Sequence, residues 1–175
     1  MSAASDIEYR EAGTDDLPGI LEVQHDGFGR TAREHGLDPA DMPPLLEELP
    51  DLQRLMSEGT RFFVALDDGR VVGTVRGSLT PDGTVEIGRL AVSADHVRLG
   101  IGRGLVGALE RAYPSARRLE LYTGRESHAP LALYASLGYA EMPSRLDIPY
   151  LIWLEKVAAP AAAAAPTAPA DAPLH

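Results

Sequence analysis

Gly100, Gly102 and Gly104 stand two apart, between a strand-like apolar run and a helix-like one, with Arg98 and Arg103 among them. Glycine lets a backbone turn tightly and come close to a ligand. Free amides at a helix start, at the positive end of its dipole, form an anion site. The two guanidinium groups add charge suited to phosphate oxygens. The stretch 98–104 therefore reads as a phosphate-binding turn. The dinucleotide pattern GxGxxG fails, because Leu105 stands at the third glycine. The nucleotide loop GxxxxGK[ST] fails because no lysine lies near. His25, His35, His96, His128 and His175 make no HxxxH or HExxH spacing, and there are no cysteines. No metal, disulfide or thiolate nucleophile is expected.

The elements that must position this turn follow from the pattern around it. Residues 84–93 form a strand and Leu105, Val106, Leu109, Ala112 and Tyr113 give the following helix its buried stripe, with Pro114 past its end. Upstream, 7–12 alternate as a first strand. Thr14 caps a helix whose stripe is Leu17, Ile20 and Leu21, with Pro18 in its first turn. The polar, glycine-rich segment 25–36 reads as a loop. Leu45, Leu46, Leu49, Leu52, Leu55 and Met56 recur at helical spacing, split by Pro50 into two short helices. Strands 61–66 and 70–79 flank the hairpin turn Asp67-Asp68-Gly69. In the second strand Gly73 and Gly77 signal either a close approach or a bulge. Strand 117–123, a helix from Pro130 to Leu137 capped by Gly138, and a last strand over 150–157 complete the series. Trp153 on that strand reads as core before substrate contact.

At 175 residues and 45% hydrophobic, the chain is long enough for one domain with a proper core. We place the domain at 1–157 and a disordered Ala/Pro-rich tail at 158–175. Met1–Arg10 lacks the basic and apolar regions of a signal peptide, and no apolar run is long enough to cross a bilayer. A cytoplasmic protein with no membrane partner is expected. Net charge is −10, and residues 1–68 hold 16 of the 26 acidic residues. Residues 69–126 are mildly basic. This polarity suits a cationic partner meeting an anionic one, or simply a soluble acidic surface. Nucleic acid is not expected, since there is no basic stripe.

The run 85–110, VEIGRLAVSADHVRLGIGRGLVGALE, resembles the acetyl-CoA signature of the GCN5-related N-acetyltransferase (GNAT) family, in which a strand, a spacer and [QR]-x-x-G-x-[GA] open a helix. Gly100 and Gly102 match, whereas Val97 stands at the [QR] position and Arg98 one residue late. The segment 126–139, ESHAPLALYASLGY, resembles the family's N-x-x-A-x-x-L-Y-x-x-x-G-[FY]. Leu133, Tyr134, Gly138 and Tyr139 match; Ser127 replaces Asn and Pro130 replaces Ala. The resemblance implies a mixed, mostly antiparallel α/β sheet of about six to seven strands flanked by about four helices. It implies acetyl-CoA as co-substrate and direct transfer of the acetyl group to an amine. It allows a homodimer.

Under that resemblance the roles distribute as follows. Glu86 accepts the amine proton, directly or through water, and by alternation shares a face with Gly88, Leu90 and Val92, leaving Arg89 on the other. The backbone of Leu90, Ala91 and Val92 steadies the oxyanion and pairs with the pantetheine. Arg98, Leu99, Gly100, Ile101, Gly102, Arg103 and Gly104 hold the pyrophosphate, mostly by main-chain amides. Ser127 touches the coenzyme, and Tyr134 gives its proton to the leaving thiolate. The acceptor is a small-molecule amine approaching from the acidic 14–58 region, where Asp26, Glu34 or Glu47 receives a cation. The alternatives are a protein or peptide amine, a CoA-binding module without turnover, and another nucleotide binder using the same glycine turn.

Overall fold

A computed structural model describes residues 6–143 and 145–158. Of the tail expected over 158–175, residues 159–175 lie outside the described residues, and Ala158 belongs to the domain: its amide donates to Arg117 O at 3.0 Å and it packs against the core. Seven strands form one open sheet: β1 (Glu8–Glu11), β2 (Arg61–Asp67), β3 (Arg70–Leu79), β4 (Thr84–Val92), β5 (Arg118–Gly124), β6 (Ala140–Met142) and β7 (Leu151–Val157). Their order is β1-β2-β3-β4-β5-β7-β6, and only the β4/β5 pair is parallel. Five helices flank it: α1 (Leu17–His35), α2 (Pro43–Leu46), α3 (Leu49–Ser57), α4 (Ile101–Ala112) and α5 (His128–Ser136). None is long and apolar enough to cross a membrane.

The helices divide between the two faces. Leu105, Val106 and Leu109 of α4 and Tyr134 of α5 pack on Val75, Val85, Ile87 and Leu121. Leu17 and Ile20 of α1 and Leu52 of α3 pack on Phe62, Val64 and Leu66 across the sheet. At Asp68 and Gly69 the hairpin takes left-handed angles, with φ of 46° and 77°, as a two-residue connection between twisted strands requires. Gly73 and Gly77 serve packing. A Cβ at Gly73 would lie 2.8 Å from Ile101, and one at Gly77 would lie 3.1 Å from Leu109. These bare positions let α4 settle directly on β3.

The segment 25–36 is helix, and the loop expectation for it is overturned. α1 runs on to His35 and stops at Gly36, whose φ is 63°. Composition misleads here because burial decides. Gln24, Gly27 and Ala32 are buried, and a Cβ at Gly27 would sit 3.1 Å from Ala91 on β4. Packing against the sheet overrides the weak helix propensity of glycine. The start of α1 differs as well. Thr14 belongs to a preceding 3₁₀ turn, and the Asp16 carboxylate accepts the Gly13 amide at 2.8 Å. The short β6 carried no sequence signal beyond three residues at the sheet edge.

β4 holds the feature that shapes the site. Gly88 lies opposite Arg76 and Ala91 opposite Thr74, so β4 contains one residue more than β3 across this interval. Arg89, inside the interval, has φ of 57°. An added residue shifts the two-residue alternation by one. Glu86 and Gly88 keep their common face, but Leu90 and Val92 turn to the α4 side and join its core. Arg89 reaches the α1–α2 side, where it meets Glu47. The expected alignment of Glu86 with Leu90 and Val92, and of Arg89 away from it, is corrected by this bulge.

Candidate active site

The parallel ladder between β4 and β5 runs from Thr84/Arg118 to Ile87/Leu121 and ends there, although both strands continue. Beyond Ile87 the two diverge, leaving the β5-facing edge of Gly88–Val92 without a ladder partner among the described residues. An unpaired strand edge offers alternating donors and acceptors to an extended amide-bearing chain. Of the three residues assigned to this edge, Ala91 buries its methyl under Gly27, Leu90 and Val92 face the core, and the Val92 carbonyl already accepts Arg30 at 3.0 Å.

The glycine turn packs beside the end of β4, where a Cβ at Gly102 would lie 3.7 Å from Leu90. Gly100, with φ of 77°, is the N-cap of α4, and Arg98 also lies in the left-handed region at 65°. Ile101 is 1% exposed and anchors the turn in the core. The Gly104 amide donates to Gly100 O at 3.1 Å, so the free helix-start amides are those up to Arg103. Gly104 itself serves another contact: a Cβ there would fall 2.3 Å from the Tyr9 ring. Its reading as a pyrophosphate donor gives way to close packing of α4 on β1. Arg103 donates one guanidinium N–H to Ser136 Oγ at 2.6 Å. Arg98 and Leu99 are exposed around the turn. Ser127 precedes α5, donates its amide to Gly124 O at 3.0 Å and makes no capping bond with its side chain.

Tyr134 and Glu86 lie on opposite faces at the parting of the strands. Tyr134 is 4% exposed on the α4 side, and its hydroxyl makes no hydrogen bond among the described residues. Burial pushes its phenol well above the usual tyrosine value. The Tyr139 ring meets it edge-on at 5.4 Å. Tyr139 is held in turn, its hydroxyl donating to Glu110, which also pairs with Lys156 at 3.0 Å. Glu86 is exposed on the other face, in register with Ser78 and Glu120. It lines a cavity of about 350 Å³ with Thr80, Asp82, Arg118, Glu120 and Arg145 among its walls.

That cavity takes no wall from 14–58. The three cation receivers expected there are placed otherwise. Asp26 accepts the Ala94 amide and pairs with Arg30. Glu34 is exposed on α1. Glu47, only 15% exposed, binds Arg76 at 2.8 Å, Arg89 at 3.0 Å and Gln24 at 2.7 Å. Burial pushes the Glu47 carboxyl up, but the hydrogen bonds from Arg76, Arg89 and Gln24 outweigh it and bring it down to about 2. Two guanidinium groups already satisfy it, so it is a clamp on the β4 bulge and no receiver of substrate. Sequence reading missed Glu120, Arg145 and this clamp, because strand register and loop folding bring them together.

The Glu47 clamp gives a pH prediction. A carboxyl lowered by folding contributes stability above its unfolded value, and loses it as pH falls through the folded one. Glu47→Gln should therefore be less stable than the parent at pH 7. The difference should shrink between about pH 4.5 and pH 2. Urea midpoints at several pH values measure it.

The family model described as the acetyltransferase (GNAT) family matches residues 27–139. The chain belongs to the GNAT family. This GNAT chain is similar in fold to PaiA N-acetyltransferase from Thermoplasma acidophilum, solved in complex with coenzyme A, with a TM-score of 0.76 and 18% identity over 87% of this chain and 99% of that one. It is also similar to an acetyltransferase from Thermus thermophilus, at 0.70 and 21% identity, covering 87% and 97%. A third is a ribosomal-protein-alanine N-acetyltransferase from Brucella melitensis, at 0.66 and 21%, covering 86% and 99%. No curated protein matches the chain. Family membership makes it an acetyltransferase that uses the CoA thioester.

Proposed function

We propose that this GNAT chain acetylates the primary amine of a small molecule by direct attack within a ternary complex. One observation carries the reading. The β4/β5 ladder ends at Ile87/Leu121, one residue past Glu86, which borders an open depression of about 350 Å³ along the paired start of the two strands, and Tyr134 lies on the far side of the sheet. The depression is open to solvent, and a small ligand fits within its volume.

The chain's own groups divide the work. Amides up to Arg103 hold the pyrophosphate, and the free edge of Gly88–Val92 aligns the pantetheine. An alkyl amine, with a pKa of roughly 10, must lose a proton before it attacks. Glu86 takes that proton, directly or through one water. The amine nitrogen bonds to the thioester carbon, an amide N–H of the β4 edge steadies the oxyanion, and the C–S bond breaks. The sulfur keeps the electron pair, is steadied by a hydrogen bond from the Tyr134 hydroxyl, and takes up the proton that the attacking nitrogen releases as the amide forms. Products are the N-acetyl amine and free CoA.

A thiol-release assay with acetyl-CoA and a panel of polyamines, amino acids, aminoglycosides and peptides tests this reading. Turnover confined to small amines is expected. Turnover on peptides alone would move the acceptor to the protein class, and saturable CoA binding with no thiol released would leave a binding module.

A further inference from the structure

The cavity beside Glu86 carries charges of both signs, and they are not all spent on one another. Arg118 is neutralised within its wall, donating to Asp82 at 2.8 Å and to Thr84 at 2.8 Å. Glu86 and Glu120 stand directly opposite in the β4/β5 register, so both carboxylates face the same space. Glu120 Oε2 is sealed from solvent and has no hydrogen-bond donor. The remaining wall group is Arg145, from the segment between β6 and β7. Its guanidinium lies over the Trp153 ring at 3.8 Å. Stacking on that buried indole fixes the plane of the fork while leaving its N–H edge to bond outward. Among the described residues no carboxylate lies within 4.0 Å of it. Trp153 pairs in register with Tyr122, the first β5 residue beyond the end of the parallel ladder. Arg145 therefore stands on the same face of the sheet as Glu86 and Glu120, beside the closed part of the β4/β5 ladder that leads up to the parting.

Two carboxylates and one stacked, unpaired guanidinium around one small cavity match an acceptor that has both an ammonium and an anion. Resting on the transferase reading above, we infer that the acceptor is a small zwitterion, an amine bearing a carboxylate, with Arg145 as its specificity-determining residue. The ammonium sits between Glu86 and Glu120, and Glu86 then takes its proton. The carboxylate receives two parallel N–H bonds from Arg145. A polyamine would satisfy both carboxylates but would bring a second cation against Arg145, and it is disfavoured.

The test compares amino acids with their decarboxylated amines and with polyamines in the thiol-release assay, for the parent and for Arg145→Met, which keeps the apolar stem over Trp153. The parent should use amino acids at least about 10-fold better in kcat/KM than the matching decarboxylated amines, the worth of a charge-assisted bond pair. Arg145→Met should lose roughly 10- to 100-fold on amino acids, mainly in KM, and keep its rate on the decarboxylated amines. Equal or better use of decarboxylated amines or polyamines by the parent would overturn the zwitterion while leaving the transferase standing. So would an Arg145→Met enzyme that loses the same factor on every acceptor. No thiol release from any amine, with CoA still bound, would overturn the transferase reading itself.

Discussion

Gly102→Val weakens acetyl-CoA binding by about 100-fold or more while the chain stays folded. A Cβ at this position would lie 3.0 Å from Leu133 on α5 and 3.7 Å from Leu90 on β4. The tip of Leu133 can shift for one methyl, but valine adds two further carbons on a stiff, branched side chain. They must push the first turn of α4 off β4 and α5, and that turn carries the free amides up to Arg103. Each lost hydrogen bond to a charged phosphate is worth about 1.5–3 kcal/mol, so two misaligned amides account for the expected factor. Calorimetric titration with CoA reads the effect, and far-UV circular dichroism checks the fold. Gly102→Ala should lose much less. If valine leaves the affinity unchanged, the pyrophosphate does not lie at this turn.

Tyr134→Phe lowers kcat by roughly 10²-fold, the usual worth of one positioned acid, with little change in acetyl-CoA affinity. Phenylalanine keeps the ring, its place in the core and the edge contact with Tyr139 at 5.4 Å. Only the hydroxyl goes, and that hydroxyl makes no hydrogen bond among the described residues. Burial raises its pKa above the ordinary value of about 10, so it stays protonated when a thiolate of conjugate-acid pKa roughly 8.5 departs. Transfer between them is uphill, so Tyr134 acts first as a hydrogen-bond donor that lowers the leaving-group charge. A pH profile follows from the sign: kcat should show no falling alkaline limb near pH 10 from this group, because its deprotonation is moved higher. Unchanged turnover in Tyr134→Phe would remove it from the mechanism.

The sequence made much of this arrangement visible because local chemistry fixes it. Gly100 at a helix start, Asp68-Gly69 between two apolar runs, and Tyr134 one turn before Gly138 are short-range patterns, and each lies where its pattern implies. Segment 25–36 was not legible, since its helix depends on Gly27 meeting Ala91, a contact 64 positions away in sequence. The bulge at Arg89 was hidden for the same reason. Alternation counts residues along β4, while the bulge exists only relative to β3. Glu47 reads from sequence as a candidate receiver of a substrate cation, because its partners Arg76 and Arg89 come from two distant strands. Glu120 and Arg145 entered the site only through register and the fold of the segment before β7.

A crystal structure of this GNAT chain with coenzyme A tests the account most directly. The pyrophosphate oxygens should lie about 3 Å from the amides at the start of α4, with the pantetheine running along the free edge of Gly88–Val92 and the sulfur reaching the side of Tyr134. Coenzyme bound elsewhere, or a β4/β5 parting left vacant under saturating ligand, would contradict it.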